Sequence, residues 1–175
     1  MDHYRWITSV ALGMLLALTC GAAVADDDKE VPKEFDVCVD PTQDVVPDLV
    51  GAPHTFPAPG DGFVAVGIIV PVGVIPTTKT GDTPPACSTF TNRIGTFFAR
   101  GRIVAGLPNA EADDLAYVSW HFRLAGGSLE TGGPVKTNPS YPQLVLGKSG
   151  HVDAGREVTV VVLDPTGFQF RLFLK

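Results

Sequence analysis

The end of the chain constrains the fold most. Residues 157–163 and 168–174 are two runs of β-branched, aliphatic and aromatic side chains, separated by Asp164-Pro165-Thr166-Gly167. Proline presets the backbone at the first corner of a type I turn, and glycine takes the left-handed position of the bulge that follows. The segment predicts a β-hairpin.

The same chemistry recurs upstream. Phe35, Val37 and Val39 alternate with Asp36, Cys38 and Asp40, and a period of two belongs to a strand. Residues 63–70 are strongly β, with Phe63, Ala65 and Ile69 on one face and Val64, Val66, Ile68 and Val70 on the other. Residues 95–104 and 117–124 read as two further clear strands, and 128–131 and 143–146 as shorter ones. Residues 41–62 and 71–89 are rich in proline and glycine and read as long loops. Only 110–116 has a helical look, and it is short. About eight strands with turn chemistry between them predict an all-β sandwich or barrel. A sheet with one face in water alternates cleanly, whereas Val158, Val160 and Val162 stand opposite Val161 and Leu163. The second apolar face lines a cavity, meets another subunit or lies under the long loops. The first two favour a barrel or an oligomer.

The N-terminus predicts export. Arg5 precedes an apolar run over 7–18 of about a dozen residues, short of the roughly 20 that span a bilayer. Ala23-Val24-Ala25 then places small residues where a signal peptidase reads. Residues 1–25 are expected to be a cleaved signal peptide, which makes the protein secreted or periplasmic. A retained anchor fits less well, and Leu18-Thr19 before Cys20 suits a lipobox poorly. Residues 26–34 form a charged lead, expected to be a mobile N-terminal segment, and 35–175 a single β-barrel domain. Loss of Cys20 leaves Cys38 and Cys87, which an exported protein pairs. Closing that loop is worth roughly 4 kcal/mol.

Several functions are disfavoured. The net charge is -6, and scattered cations do not make a nucleic-acid surface. No later segment is apolar enough to span a membrane as a helix. Gly147-Lys148-Ser149 is not a P-loop, because the pattern requires glycine where Pro142 stands. There is no G-x-S-x-G elbow. His3, His54, His121 and His151 have no paired ligand spacing, so no metal is expected. The acidic Glu111, Asp113 and Asp114 read as a solvated loop.

Four residues are candidates for ligand binding. Ala116, Val118, Trp120, Phe122 and Leu124 share one strand face. Trp120 there is either core or the wall of a pocket, where its large surface and single N–H donor would serve an apolar or aromatic ligand. Phe122 belongs with it. Arg100 lies in an apolar strand and either reaches the surface or pairs inside a cavity with a carboxylate such as Glu157.

Three stretches together resemble the barrel superfamily of allene oxide cyclase and the dirigent proteins, in particular its secreted bacterial members. Residues 67–76, Gly67-Ile68-Ile69-Val70-Pro71-Val72-Gly73-Val74-Ile75-Pro76, match a G-x-I-x-P-x-G-x-x-P turn. Gly95-Thr96-Phe97-Phe98-Ala99-Arg100-Gly101 resembles a G-T-W/F-x-x-R-G strand. Gly147-Lys148-Ser149-Gly150, Glu157-Val158 and the Phe-rich 168–173 resemble the family's closing segment. The resemblance implies a small antiparallel eight-stranded barrel that forms homodimers or homotrimers. It also implies a cofactor-free interior that binds a small hydrophobic or phenolic molecule and steers its cyclisation or isomerisation by orientation. The alternative is a non-catalytic envelope or surface interaction protein, consistent with the lack of a convergent catalytic set.

Overall fold

The computed structural model describes residues 30–51 and 54–175. The signal peptide expected over 1–25 lies outside the described residues. Nine strands follow one another: β1 (Glu34–Cys38), β2 (Val45–Asp48), β3 (Gly62–Pro71), β4 (Gly95–Ile103), β5 (Asp114–Leu124), β6 (Gly127–Lys136), β7 (Ser140–Gly150), β8 (Glu157–Val162) and β9 (Gln169–Leu174). No α-helix occurs among the described residues, only a 3-10 turn over Cys87–Thr89. The helical-looking 110–116 is a turn that runs into β5, where alternating burial overrides local helix propensity.

Strands β3 to β9 pair with their sequence neighbours, and β1 closes the ring by pairing with both β9 and β3. Phe35 faces Leu172 on one side and Pro71 on the other. All pairings are antiparallel, so the fold is the expected eight-stranded barrel, with β2 as an added ninth strand. β1 and β2 run in the same direction along β3. β1 takes its second half (Ile68 to Pro71) and β2 its first half (Gly62 to Ala65). Gly67 sits where the chain leaves β1, and a Cβ there would come within 2.5 Å of the Cys38 carbonyl oxygen. Only glycine permits that approach.

The core explains the alternation. Phe35, Val37, Phe97, Phe122, Leu129, Val158, Val160 and Leu172 point inward and pack as one cluster. Part of the charged lead, residues 30–34, lies among the described residues. Val31 is buried in that cluster, and the Lys33 carbonyl accepts the Leu174 amide at 2.8 Å. An apolar side chain has found the closed end of the barrel.

The second apolar face of β1, β3 and β9 is covered by the loop between β3 and β4. Cys38, Val70, Ile75, Cys87 and Leu163 form a satellite core beneath it. Two ties hold the loop down. The expected disulfide joins Cys38 to Cys87, 49 positions apart. The fully buried Asp36 carboxylate accepts Arg171 Nε at 2.6 Å and Nη2 at 3.2 Å, and the amides of Gly73 and Ile75 at 2.8 and 3.3 Å. Elsewhere the outer wall faces water, with Val66, Phe98, Leu144 and Leu146 left exposed.

Replacing Cys38 and Cys87 by alanine together is expected to lower unfolding free energy by about 4 kcal/mol in urea titrations. A loss below about 1 kcal/mol would mean that Asp36 holds the loop unaided.

Candidate functional site

The barrel is filled at one end and hollow at the other. Phe35, Phe122 and Leu129 close the end where β1 begins. Toward the other end the inward positions are short: Ala65 on β3, Ala99 on β4 and Ala116 on β5. Small side chains across adjacent strands leave a chamber of about 890 Å³, within the size range of small-molecule sites.

Its floor is aromatic. Trp120 stacks on Phe170 with ring centroids 4.7 Å apart and planes 18° apart. Phe97 meets both rings edge-on, at 5.8 and 5.5 Å. Phe122 supports this layer from below, 5.3 Å from Phe97 and 6.1 Å from Trp120. Such pairs favour offset and edge-to-face geometry and fix the rings in place.

The mouth is built from loops. Among the described residues β2 pairs only with β3, so the wall parts between β2 and the β8–β9 hairpin. Thr77, Thr78 and Thr80 of the covering loop overhang this opening, and the Thr78 amide donates to the Leu163 carbonyl at 2.8 Å. Phe56, Pro57 and Pro59 line another side. Their segment is organised by the buried Asp61 carboxylate, which accepts the Val50 and Ala58 amides at 3.1 and 3.0 Å and contacts His54 Nε2 at 2.8 Å. Burial works to raise the Asp61 pKa, but the His54 contact and the two amides outweigh it and hold the carboxyl below its usual value.

Two of the charged groups around the chamber, Lys136 and Asp164, are held by neighbours, and Lys79 is exposed at the mouth. The carboxylates of Glu111, Asp113 and Asp114 converge within 4.8 Å. Lys136 Nζ sits among them at 2.7, 3.2 and 3.1 Å, where an ammonium supplies the charge that a metal ion would otherwise bring. The hydrogen bond to Glu111, then that to Asp114, raise the Lys136 pKa despite partial burial. Asp164 accepts the Gln169 amide at 2.7 Å and caps Thr166 within the hairpin turn.

The four candidates separate. Trp120 lines the chamber and Phe122 lies beneath it. Arg100 and Glu157 do not enter. Phe97 and Ala99 occupy the inward phase of β4, so Arg100 falls in the outward phase and is exposed. Val158 and Val160 occupy the inward phase of β8, so Glu157 also faces out, 3.6 Å from Lys175. The interior Arg100–Glu157 pair is therefore not formed, because strand phase puts both charges in water.

One interior residue escaped sequence reasoning. Tyr141 is 4% exposed, lines the chamber and forms no hydrogen bond among the described residues. Its hydroxyl is not sealed from solvent, and the residue borders the chamber. Burial pushes the phenol well above the usual tyrosine pKa. The available signal was the in-phase set Tyr141, Gln143 and Val145, interrupted by Pro142.

No family model matches the chain. No curated protein matches it in sequence. Among solved structures, the chain is similar to pyocyanin demethylase at a TM-score of 0.52 and 17% identity, over 81% of this chain and 98% of that one. A nonspecific heme-binding cyclase of neoabyssomicin biosynthesis aligns at a TM-score of 0.41 and 16% identity, over 82% of this chain and 64% of that one. At these identities the first likeness speaks for the small barrel fold.

A carboxyl whose folded pKa is depressed contributes stability above its unfolded pKa and loses it as pH falls through the folded value. Asp61→Asn is expected to destabilise the protein above about pH 5, with the difference from wild type starting to shrink as pH falls below about 4 and continuing to shrink at lower pH. Thermal melts across that range check it.

Proposed function

We propose that this chain is an exported member of the allene oxide cyclase and dirigent-like barrels, released by removal of residues 1–25. In this reading it binds a small apolar or phenolic molecule in the barrel and steers its cyclisation or isomerisation. The observation that carries the proposal is the open apolar chamber ending on the Phe97, Trp120 and Phe170 rings. Such a chamber holds a flexible or planar ligand in few orientations, and orientation alone removes much of the barrier to an intramolecular reaction. The chain's own residues then act as walls that exclude water and unproductive conformers, with no cofactor in the proposed step. The Cys38–Cys87 disulfide suits an oxidising compartment outside the cytoplasm. The likeness to pyocyanin demethylase supports the barrel on which the reading stands and nothing of its chemistry.

A second reading, a non-catalytic surface interaction protein, draws on the exposed Val66, Phe98, Leu144 and Leu146 of the outer wall. Native mass spectrometry of protein from its own source separates the two: a co-purifying small molecule supports the first, and a bare chain with a protein partner the second.

Ala99 faces Trp120 across β4 and β5 and lines the chamber. The neutral fluorophore N-phenyl-1-naphthylamine is expected to bind wild type in a 1:1 ratio. Ala99→Trp, which fills the chamber, should weaken it at least about tenfold, or about 1.4 kcal/mol. Phe98→Ser, on the outer face, should leave binding unchanged. Equal binding by all three proteins would place the fluorophore outside the barrel and remove the support for a ligand chamber.

A further inference from the structure

The polar groups that line the chamber fall into two sets. The run Thr77 to Thr80, which includes Lys79, and Thr137, Asp164 and Thr166 lie on loops and turns at the mouth. On the strand wall, the polar side chains among the described lining residues are Lys136, Trp120 and Tyr141. The Lys136 ammonium is turned to its three carboxylates. Trp120 and Tyr141 remain, and neither has a hydrogen-bond partner among the described residues. An indole N–H can only donate, and a phenol O–H donates better than it accepts. Both atoms keep some access to solvent; a ligand that displaces their water leaves a costly unpaired donor unless it supplies an acceptor.

Two further observations narrow the ligand. The charges on the chamber's rim stay at the rim: Lys136 is held by Glu111, Asp113 and Asp114, Asp164 by donors of its own turn, and Lys79 is exposed on the loop at the mouth. A charge carried to the floor would meet no counter-charge and would lose its hydration. The inserted end of the ligand is therefore neutral. The floor presents stacked and edge-on rings, which suit a flat π system.

We infer that Tyr141 is the specificity-determining donor of the chamber, and that the ligand is a planar aromatic molecule whose inserted, uncharged end bears a hydrogen-bond acceptor such as a carbonyl. This rests on the proposed reading of the chamber as a ligand site and adds to it a chemical class and a residue. Tyr141 hydrogen-bonds the acceptor, Trp120 offers a second donor, and Phe97 and Phe170 complete the aromatic floor.

The test uses 9-fluorenone and fluorene, planar molecules of nearly equal size that differ by one carbonyl. Equilibrium dialysis against the purified protein measures both, with wild type and Tyr141→Phe. Wild type is expected to bind fluorenone about tenfold more tightly than fluorene, the scale of one net hydrogen bond. Tyr141→Phe keeps the ring and removes the hydroxyl. It should weaken fluorenone about tenfold, leave fluorene unchanged and melt no lower than wild type.

Equal binding of the two ligands by wild type would overturn the Tyr141 inference while leaving the chamber reading intact. So would a fluorenone preference that survives in Tyr141→Phe, or a parallel loss of both ligands. If neither ligand binds wild type, the chamber reading fails and takes the inference with it.

Discussion

Closure of the barrel by the five residues of β1 is the constraint on which the rest depends. β1 is hydrogen-bonded on both edges, to β3 and to β9, and its inward Phe35 and Val37 enter the main core. Its outward residues do as much. Asp36 gathers Arg171 and two loop amides, and Cys38 is bonded to Cys87. A buried carboxylate is tolerable only when its lone pairs are satisfied, and four donors around Asp36 meet that condition. Strand closure and loop docking are thus one structural event, in which removing either outward residue weakens both.

The mouth follows from the same arrangement. β1 covers only the second half of β3, so the first half pairs with β2, which among the described residues has no strand on its other side. The wall parts there, and the loop anchored by Asp36 and Cys87 carries Thr77 to Thr80 over the gap. Depth is set separately, by alanines near the mouth and aromatic rings below. A filled lower half gives rigidity, and an unfilled upper half gives room, within one ring of hydrogen bonds.

Much of this was readable from residue order. Alternation placed β1, β3, β4, β5, β8 and β9, and removal of Cys20 in the expected signal left Cys38 and Cys87 as the pair that forms. What escaped did so for local reasons. β2 carries Pro47 inside a Pro-rich stretch, and a four-residue strand has too few repeats to show a period. β6 and β7 proved longer than expected because Gly132, Gly133, Pro134, Pro142 and Gly147 interrupt their patterns. Arg100 was left between the surface and an interior pair with Glu157 because each strand's phase was read alone. The paired ring settles both phases at once, since Phe97, Ala99, Val158 and Val160 already occupy the interior. Tyr141 was hidden by the same Pro142 that masked its strand.

β2 carries a further consequence. Full closure leaves a barrel with no free edge, yet β2 adds one here, because among the described residues it pairs on one side only. A row of unpaired amides invites another chain to dock as a tenth strand. Here the row is four residues long, Pro47 contributes no N–H, and Asp48 is exposed with its charge. The proline and the aspartate therefore act as gatekeepers of solubility. They guard an edge at the chamber mouth where the backbone could template aggregation.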